Sequence, residues 1–439
     1  MFSFFRYCYT LVLYITLPLV FLRLLWRSLR VPAYRQRWLE RLGIFNFEHK
    51  TKNCIWVHAV SVGEVVAAIP VINALQARYP ELSITVTTTT PTGSQRVMQS
   101  LGKTVTHVYL PYDLPWALNN FIRRVTPKIL LILETELWPN LINSCHGKNI
   151  PIIIVNARLS AKSFAGYFKI KFLVSKILQQ VTKVAAQSEA DAERFKQLGI
   201  DKNKLQVIGN LKFDVQIPVA QQQAGKNLKL SLNNRLVWVA ASTHAGEEEQ
   251  IILAYKQVKT KFANCLLILI PRHPERFNEV AKLLEKNQLT YIKRSSGLSC
   301  SLDTAVLLGD TMGEMNIFYA AADVAFVGGS LVNLGGHNVL EPAALGVPII
   351  TGIHMSNFQE ITDKLLAAKA ICIINNYQEQ ADKIIDWFIN DESRKYIGAQ
   401  GQAVIAQNRG ALDRVTAELA TFLSPSPLVP QQLNLVASH

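Results

Sequence analysis

An α/β protein of two parallel-sheet domains is what the sequence predicts, and three observations predict it. Short apolar runs alternate with helix-length segments from Asn53 onward, the rhythm of βαβ units. The alternation breaks once, over 213–234, and then restarts. A chain of 439 residues, 49% hydrophobic and 18% charged, has apolar side chains for large cores, which excludes general disorder.

The N-terminal 45 residues stand apart. Arg6, Arg23, Arg27, Arg30, Arg35, Arg37 and Arg41 face only Glu40, so +6 of the net +14 charge sits there. Between Arg6 and Arg23 runs the uncharged stretch Tyr7–Leu22 (YCYTLVLYITLPLVFL). As a helix it covers about 24 Å, short of a hydrocarbon core of about 30 Å. Arg23, Leu24, Leu25, Trp26 and Arg27 follow it, with no small-residue cleavage site, so it reads as an uncleaved membrane anchor. The arginine excess after the apolar run leaves the body of the protein in the cytoplasm. A helix lying in the interface against phospholipid, or a buried core helix, are the alternatives.

Six runs then read as buried strands of a first domain, 46–212: Ile55–Ala59, Ser83–Thr88, Ile129–Leu133, Ile152–Val155, Val184–Gln187 and Leu205–Ile208. The segment 213–234 carries QQQAGKN and a proline and reads as a linker. A second domain, 235–423, has strands at Leu236–Ala241, Leu266–Ile270, Ala305–Leu308, Val324–Val327 and Val347–Thr351. Two such domains facing a cleft would bind ligands at the carboxyl ends of their strands. The Pro-rich tail 424–439 is expected to be disordered.

Several chemistries lack their signatures. No G-x-G-x-x-G follows a strand, and Gly102-Lys103-Thr104 has Val97 where a P-loop needs its first glycine. Cys8, Cys54, Cys145, Cys265, Cys300 and Cys372 have neither disulfide-framework nor metal-ligand spacing, and no D-x-D occurs. Neither a metal nor another cofactor is called for.

Glycine and polar residues gather instead at the ends of the second-domain strands. These are Ser242-Thr243-His244-Ala245-Gly246 with Glu247, Glu248 and Glu249; Arg272-His273-Pro274; Gly309-Asp310-Thr311-Met312-Gly313-Glu314; and Gly328-Gly329-Ser330 through Gly335-Gly336-His337-Asn338. Glycine admits a ligand close to the backbone, and N–H groups opening a helix hold an anion. Four such loops favour a nucleotide site over four helix caps. Glu341, three residues past Asn338, suits ribose hydroxyls or a capping box. Arg272 suits a phosphate or carboxylate, or is a strand-end surface cation.

In the first domain, His58-Ala59-Val60-Ser61-Val62-Gly63-Glu64 bridges a strand and the helical segment Val65–Arg78. Glu64 stands near the helix N-terminus, where dipole effects alone favour a carboxylate. Glu134 and Glu136 lie just past an apolar strand, where burial is costly unless they serve a ligand.

These segments resemble a known family. HAVSVGE (58–64), LETELWPN (133–140), NARLS (156–160), QSEADAERFKQLG (187–199), GNLKFD (209–214), ASTHAGEE (241–248), PRHPERF (271–277), GDTMGEM (309–315) and FVGGSLVNLGGHNVLEPAALGVP (326–348) are similar to the 3-deoxy-D-manno-octulosonic acid (Kdo) transferases of Gram-negative lipopolysaccharide synthesis. The resemblance implies a GT-B glycosyltransferase fold of two Rossmann-like domains. It further implies CMP-Kdo as donor, the tetra-acylated, bisphosphorylated lipid A precursor (lipid IVA) as acceptor, and inversion without an essential metal. By matching motif, Glu64 is the expected general base, and Glu134 and Glu136 form a second acidic motif. Ser242, Thr243, Arg272, Met312, Gly313, Glu314, Asn338 and Glu341 are expected on the CMP-Kdo side.

The expected location is the cytoplasmic face of the inner membrane. One alternative is another GT-B-like enzyme acting on a UDP-sugar. A nucleic-acid-binding protein is the other, and it is disfavoured: nearly half the excess charge lies beside an apolar anchor, and no aromatic-basic platform is evident.

Overall fold

The computed structural model describes residues 2–45 and 53–423, and the chain divides into two compact units, 1–211 with 410–439, and 212–409. The expected disorder of 424–439 lies outside the described residues.

The first unit is built on a parallel sheet of β1 (Cys54–His58), β2 (Ile84–Thr88), β3 (Thr106–Tyr109), β4 (Pro127–Leu133), β5 (Ile152–Ala157), β6 (Lys183–Ala186) and β7 (Leu205–Val207), in the order β3-β2-β1-β4-β5-β6-β7. The order reverses between β1 and β4, where ligands of open α/β sheets bind. β1, β2 and β5 are buried along their whole length and β4 at all but one position, as strands covered by helices on both faces must be.

The second unit repeats the plan with β8 (Val237–Thr243), β9 (Leu266–Pro271), β10 (Tyr291–Lys293), β11 (Val306–Leu308), β12 (Val324–Val327), β13 (Ile349–Thr351) and β14 (Ile371–Ile373). The order is β10-β11-β9-β8-β12-β13-β14, again all parallel, reversing between β8 and β12. The eleven expected strands are present. Those the sequence reading passed over, β3, β10 and β14, are three or four residues long, stand at sheet edges and are only partly buried.

Two boundaries differ from expectation. The stretch read as linker contains a helix, Val219–Ser231, packed on helix Met315–Ala321. Gly225 permits the approach, since a Cβ there would stand 2.4 Å from the Ala320 Cβ. Helix Ala411–Leu423, expected in the second domain, belongs to the first unit. It presents Ala411, Val415, Leu419 and Leu423 at four-residue spacing to the core with Val65, Ala68 and Ile72, a stripe that holds a helix on its partner.

The apolar N-terminal segment is one helix, Phe2–Arg30. Its less exposed positions are Arg6, Tyr9, Thr10, Leu13, Thr16, Leu17, Val20, Phe21, Leu24 and Ser28, a 3.6-residue period sustained for about 33 Å. That stripe faces the first unit: Thr10 bonds Asn140 and Phe21 packs on Trp38 and Tyr112, while the more exposed Phe5 beside it meets the Phe172 ring. Phe4, Tyr7, Leu11, Ile15, Leu19, Leu22 and Trp26 remain exposed.

The basic segment that follows is folded onto the same unit. Arg37 donates to the His107 carbonyl and pairs with Glu40, whose other oxygen accepts the Tyr109 N–H. Arg41 is buried and donates to the Thr89 carbonyl. These bonds cover the exposed edge strand β3 and occupy Arg37 and Arg41.

Candidate active site

The reversal point of the first sheet gathers all three expected carboxylates. β1 ends at His58 and leads through Val60 and Ser61 into helix Val62–Arg78, which carries Glu64. β4 ends at Leu133 and leads directly into Glu134 and Glu136. With Thr135, Arg158, Leu159, Ser160, Ser163 and Tyr167 they line one pocket of about 330 Å³, within the range of small-molecule sites.

Glu64 is 7% exposed and completes a capping box. The Ser61 hydroxyl accepts the Glu64 N–H at 3.3 Å, while the Glu64 carboxylate accepts the Val60 N–H (2.7 Å), the Ser61 N–H (3.2 Å) and the Ser61 hydroxyl (2.7 Å). The helix-start reading of this residue is therefore correct as far as it goes. It is incomplete, because the same carboxylate also faces the pocket. Burial raises its pKa above the ordinary value, the bonds from Ser61 and Val60 oppose the rise, and the charge of Glu134 adds to it.

Glu136 is pushed up to about 7, by burial first and then by the charge of Glu64. Carboxyl groups raised in pKa within one pocket suit proton transfer near neutrality. Glu134 adopts φ +57°, a left-handed conformation costing a non-glycine residue about 1–3 kcal/mol. Its N–H is held by the Val155 carbonyl at 2.9 Å, so the strand neighbour enforces the turn that sends residues 134–136 into the pocket.

Arg158 brings a cation among the three carboxylates, and Ser160, Ser163 and Tyr167 add hydroxyls. Arg158 and Ser160 were visible in the sequence only as part of NARLS, with no role attached. Ser163 and Tyr167 had no signal beyond their place on the helix that follows.

In the second unit, the expected donor-side residues all lie at the carboxyl edge of the adjacent strands β11, β9, β8 and β12. Ser242 sits in a register shift of β8 with φ +57°. Thr243 is buried, its hydroxyl donating to Glu248 at 3.0 Å. Arg272 follows β9 and is exposed, its N–H held by the Thr243 carbonyl. Met312 is exposed beside Gly313 in the loop after β11. Glu314 is held by a bidentate pair with Arg294, which lowers its pKa. The Asn338 amide donates to Glu341 at 3.0 Å. Glu341 is not half of a capping box, since the short helix Leu340–Ala344 has Val339 at its N-cap without a side-chain bond.

Glu247 organises this edge. Fully buried, it accepts the N–H groups of His244 (3.0 Å), Gly329 (2.8 Å), Ser330 (3.0 Å) and Leu331 (2.9 Å), tying the β8 loop to the glycine loop after β12. A Cβ on Gly328 would stand 2.8 Å from its Oε2 and 2.6 Å from the Ser242 carbonyl, so that position must be glycine. Beside this knot the His244 and His337 rings stack with centroids 5.1 Å apart and their Nε2 atoms 2.8 Å apart, and His273 meets His244 edge-on. Burial, and then the Arg272 charge, hold His337 down to about 4. Arg272 and the three imidazoles on a glycine-lined edge suit an anion.

Comparison with known proteins finds relatives that span both units. Residues 36–215 match the family model described as 3-deoxy-D-manno-octulosonic-acid transferase (kdotransferase), and residues 221–404 match glycosyl transferases group 1. A 3-deoxy-D-manno-octulosonic acid transferase of Haemophilus influenzae is 44% identical over 95% of this chain and 99% of its own. One from Bordetella pertussis is 36% identical over 84% and 87%. Among solved structures, a UDP-GlcNAc 2-epimerase of Neisseria meningitidis aligns with TM-score 0.56 and 14% identity over 84% of this chain and all of its own. That likeness shows the shared GT-B fold alone.

Proposed function

The chain belongs to the 3-deoxy-D-manno-octulosonic acid transferase family and is a glycosyltransferase, and from that premise we propose that it moves Kdo from CMP-Kdo to a tetra-acylated lipid A precursor, with inversion and without a metal. The observation that carries the reading is the pocket where Glu64, Glu134 and Glu136 meet Arg158. An acceptor hydroxyl attacking an anomeric carbon must lose its proton as the bond forms. Glu64, with its pKa raised, is the base, and Glu136, pushed up to about 7, is partly protonated near neutrality. Arg158 offsets the carboxylate charge, which a bisphosphorylated acceptor would otherwise meet uncompensated.

The donor belongs to the second unit, where Arg272 and the imidazoles of His244, His273 and His337 receive its phosphate and carboxylate and Glu341 its ribose. CMP departs with a single phosphate and needs less neutralisation than a nucleoside diphosphate.

The N-terminal helix holds the enzyme at the cytoplasmic face of the inner membrane. Because one stripe of it is committed to the first unit along its length, the helix lies in the interface rather than crossing the bilayer. Its exposed apolar face enters the lipid beside Arg23 and Arg27. Arg37 and Arg41, committed to the fold, contribute little to phospholipid binding.

Purified protein given CMP-Kdo and the lipid A precursor in detergent, with excess chelator, should yield a product heavier by whole Kdo units. Turnover with UDP-sugars and none with CMP-Kdo would overturn the reading.

A further inference from the structure

The N-terminal helix makes contacts that a tether does not need. Asp113, 5% exposed, accepts the Asn140 N–H at 3.0 Å and the Leu141 N–H at 2.7 Å, and its own carbonyl accepts the Asn140 side-chain amide at 2.7 Å. It thereby caps, from outside, the helix Pro139–His146, whose N-cap Trp138 makes no side-chain bond. Asn140 is fully buried, and its amide also donates to the Thr10 hydroxyl at 2.9 Å. The neighbouring Tyr9 hydroxyl lies within electrostatic reach of the Asp113 carboxylate. A buried carboxylate and a buried amide thus take partners from a segment otherwise apolar, an arrangement that persists only when every member is satisfied.

Five residues, 134–138, join β4 to the helix that Asp113 caps. The loop is fixed at one end by the bond from Glu134 to Val155 and at the other by the knot of Asp113 and Asn140. Glu136 stands between these two fixed points, and the second is shared with the N-terminal helix.

We infer that the helix Phe2–Arg30 is a positioning element of the acceptor site, with Tyr9 and Thr10 acting through Asp113 and Asn140 to hold the loop that carries Glu134 and Glu136. The inference rests on the proposed role of that acidic pocket. Tyr9 and Thr10 touch no reacting atom. They set where the carboxylates stand, and misplacement on the scale of 1 Å is enough to slow a reaction ~100-fold.

The test uses the full chain in detergent with dispersed acceptor, where tethering confers no advantage. A Tyr9→Phe/Thr10→Val double variant is expected to lose ~10–100-fold in kcat. Its KM for CMP-Kdo and its partition into phosphatidylglycerol vesicles should be unchanged. The acid limb of its pH profile should move down, because a loosened loop exposes the carboxylates to water. Thr10→Ser in the Tyr9→Phe background should recover part of the loss. Thr16→Val, which removes a hydroxyl bonded only within its own helix among the described residues, should resemble the parent.

An unchanged kcat and pH profile would overturn the inference, whether or not the melting temperature falls. Should the double variant fail to fold, Thr10→Val alone decides by the same measurements. Glu64→Gln/Glu136→Gln on the same acceptor separates the two ideas. If it is inactive while the helix variants are normal, only the positioning role fails, whereas parental activity in that double variant removes the reading beneath it.

Discussion

The carboxylates of Glu64 and Glu136 line one pocket, and the negative charge of Glu64 adds to burial in pushing Glu136 up to about 7. The two groups therefore do not titrate independently, and each governs the other's availability as a base.

Glu64→Gln keeps the shape of the capping box and removes the proposed base. Turnover should fall ~10²–10⁴-fold with CMP-Kdo and acceptor binding largely kept. Loss of the Glu64 charge should also bring the Glu136 carboxyl down toward its ordinary range. Near-parental turnover by a folded variant would pass the role of base to Glu136 or Glu134.

Glu136 also makes a stability prediction. Its pKa in the folded protein, about 7, lies above the ordinary 4.5. The stability contributed by its protonated form is complete below the unfolded value and is lost as pH rises through about 7. Glu136→Gln should therefore raise the melting temperature at pH 8 by several degrees, at ~2–4 °C per kcal/mol, and change it little at pH 5. A variant no more stable than the parent at pH 8 would contradict the shifted pKa.

The acid limb of the parent's activity profile follows the same logic. A base with a raised pKa becomes protonated, and activity falls, at a pH above the ordinary carboxylate range. Because the Glu134 charge contributes to the rise at Glu64, Glu134→Gln should move that limb to lower pH. An unmoved or raised limb would show that Glu64 does not control it.

Much of this was legible in residue order. Apolar runs of four to six residues marked the central strands, and acidic and glycine residues just beyond them marked both carboxyl edges. What escaped had no local signature. The edge strand Tyr291–Lys293 is short and only partly buried at every position. Gly225 looks like a loop glycine until its contact with Ala320 is seen. The role of Asp113 is set by amides 27 and 28 residues away, and that of Glu247 largely by amides 82 to 84 residues away. In sequence Glu247 was only the first of three acidic residues opening a helix, and a preference of that kind cannot reveal which carboxylate is buried.

Glu247→Ala should accordingly do more harm than Glu341→Ala. The first leaves four N–H groups, two of them buried and two part-buried, without their acceptor, at a cost of ~2–5 kcal/mol, and frees the glycine loop from β8, so melting temperature and donor affinity should fall together. The second removes a partly exposed carboxylate and should weaken CMP-Kdo binding by ~1.5–3 kcal/mol with little change in melting temperature. Calorimetry and donor titration on both variants decide. If Glu341→Ala lowers only the melting temperature, its role is structural.

Donor binding should also take up protons. Burial and the Arg272 charge hold His337 down to about 4, and the neighbouring His244 is lowered as well. An anionic donor placed on this edge offsets Arg272 and favours imidazolium, so the His337 pKa is higher in the complex than in the free protein. The state with the higher pKa gains as pH falls, and CMP-Kdo should therefore bind more tightly at pH 5.5 than at pH 7.5. Isothermal titration at pH 6 in two buffers of different ionisation enthalpy should report net proton uptake, and His337→Gln should reduce it. Proton release, or an affinity that weakens toward pH 5.5, would place the donor's charge away from His337.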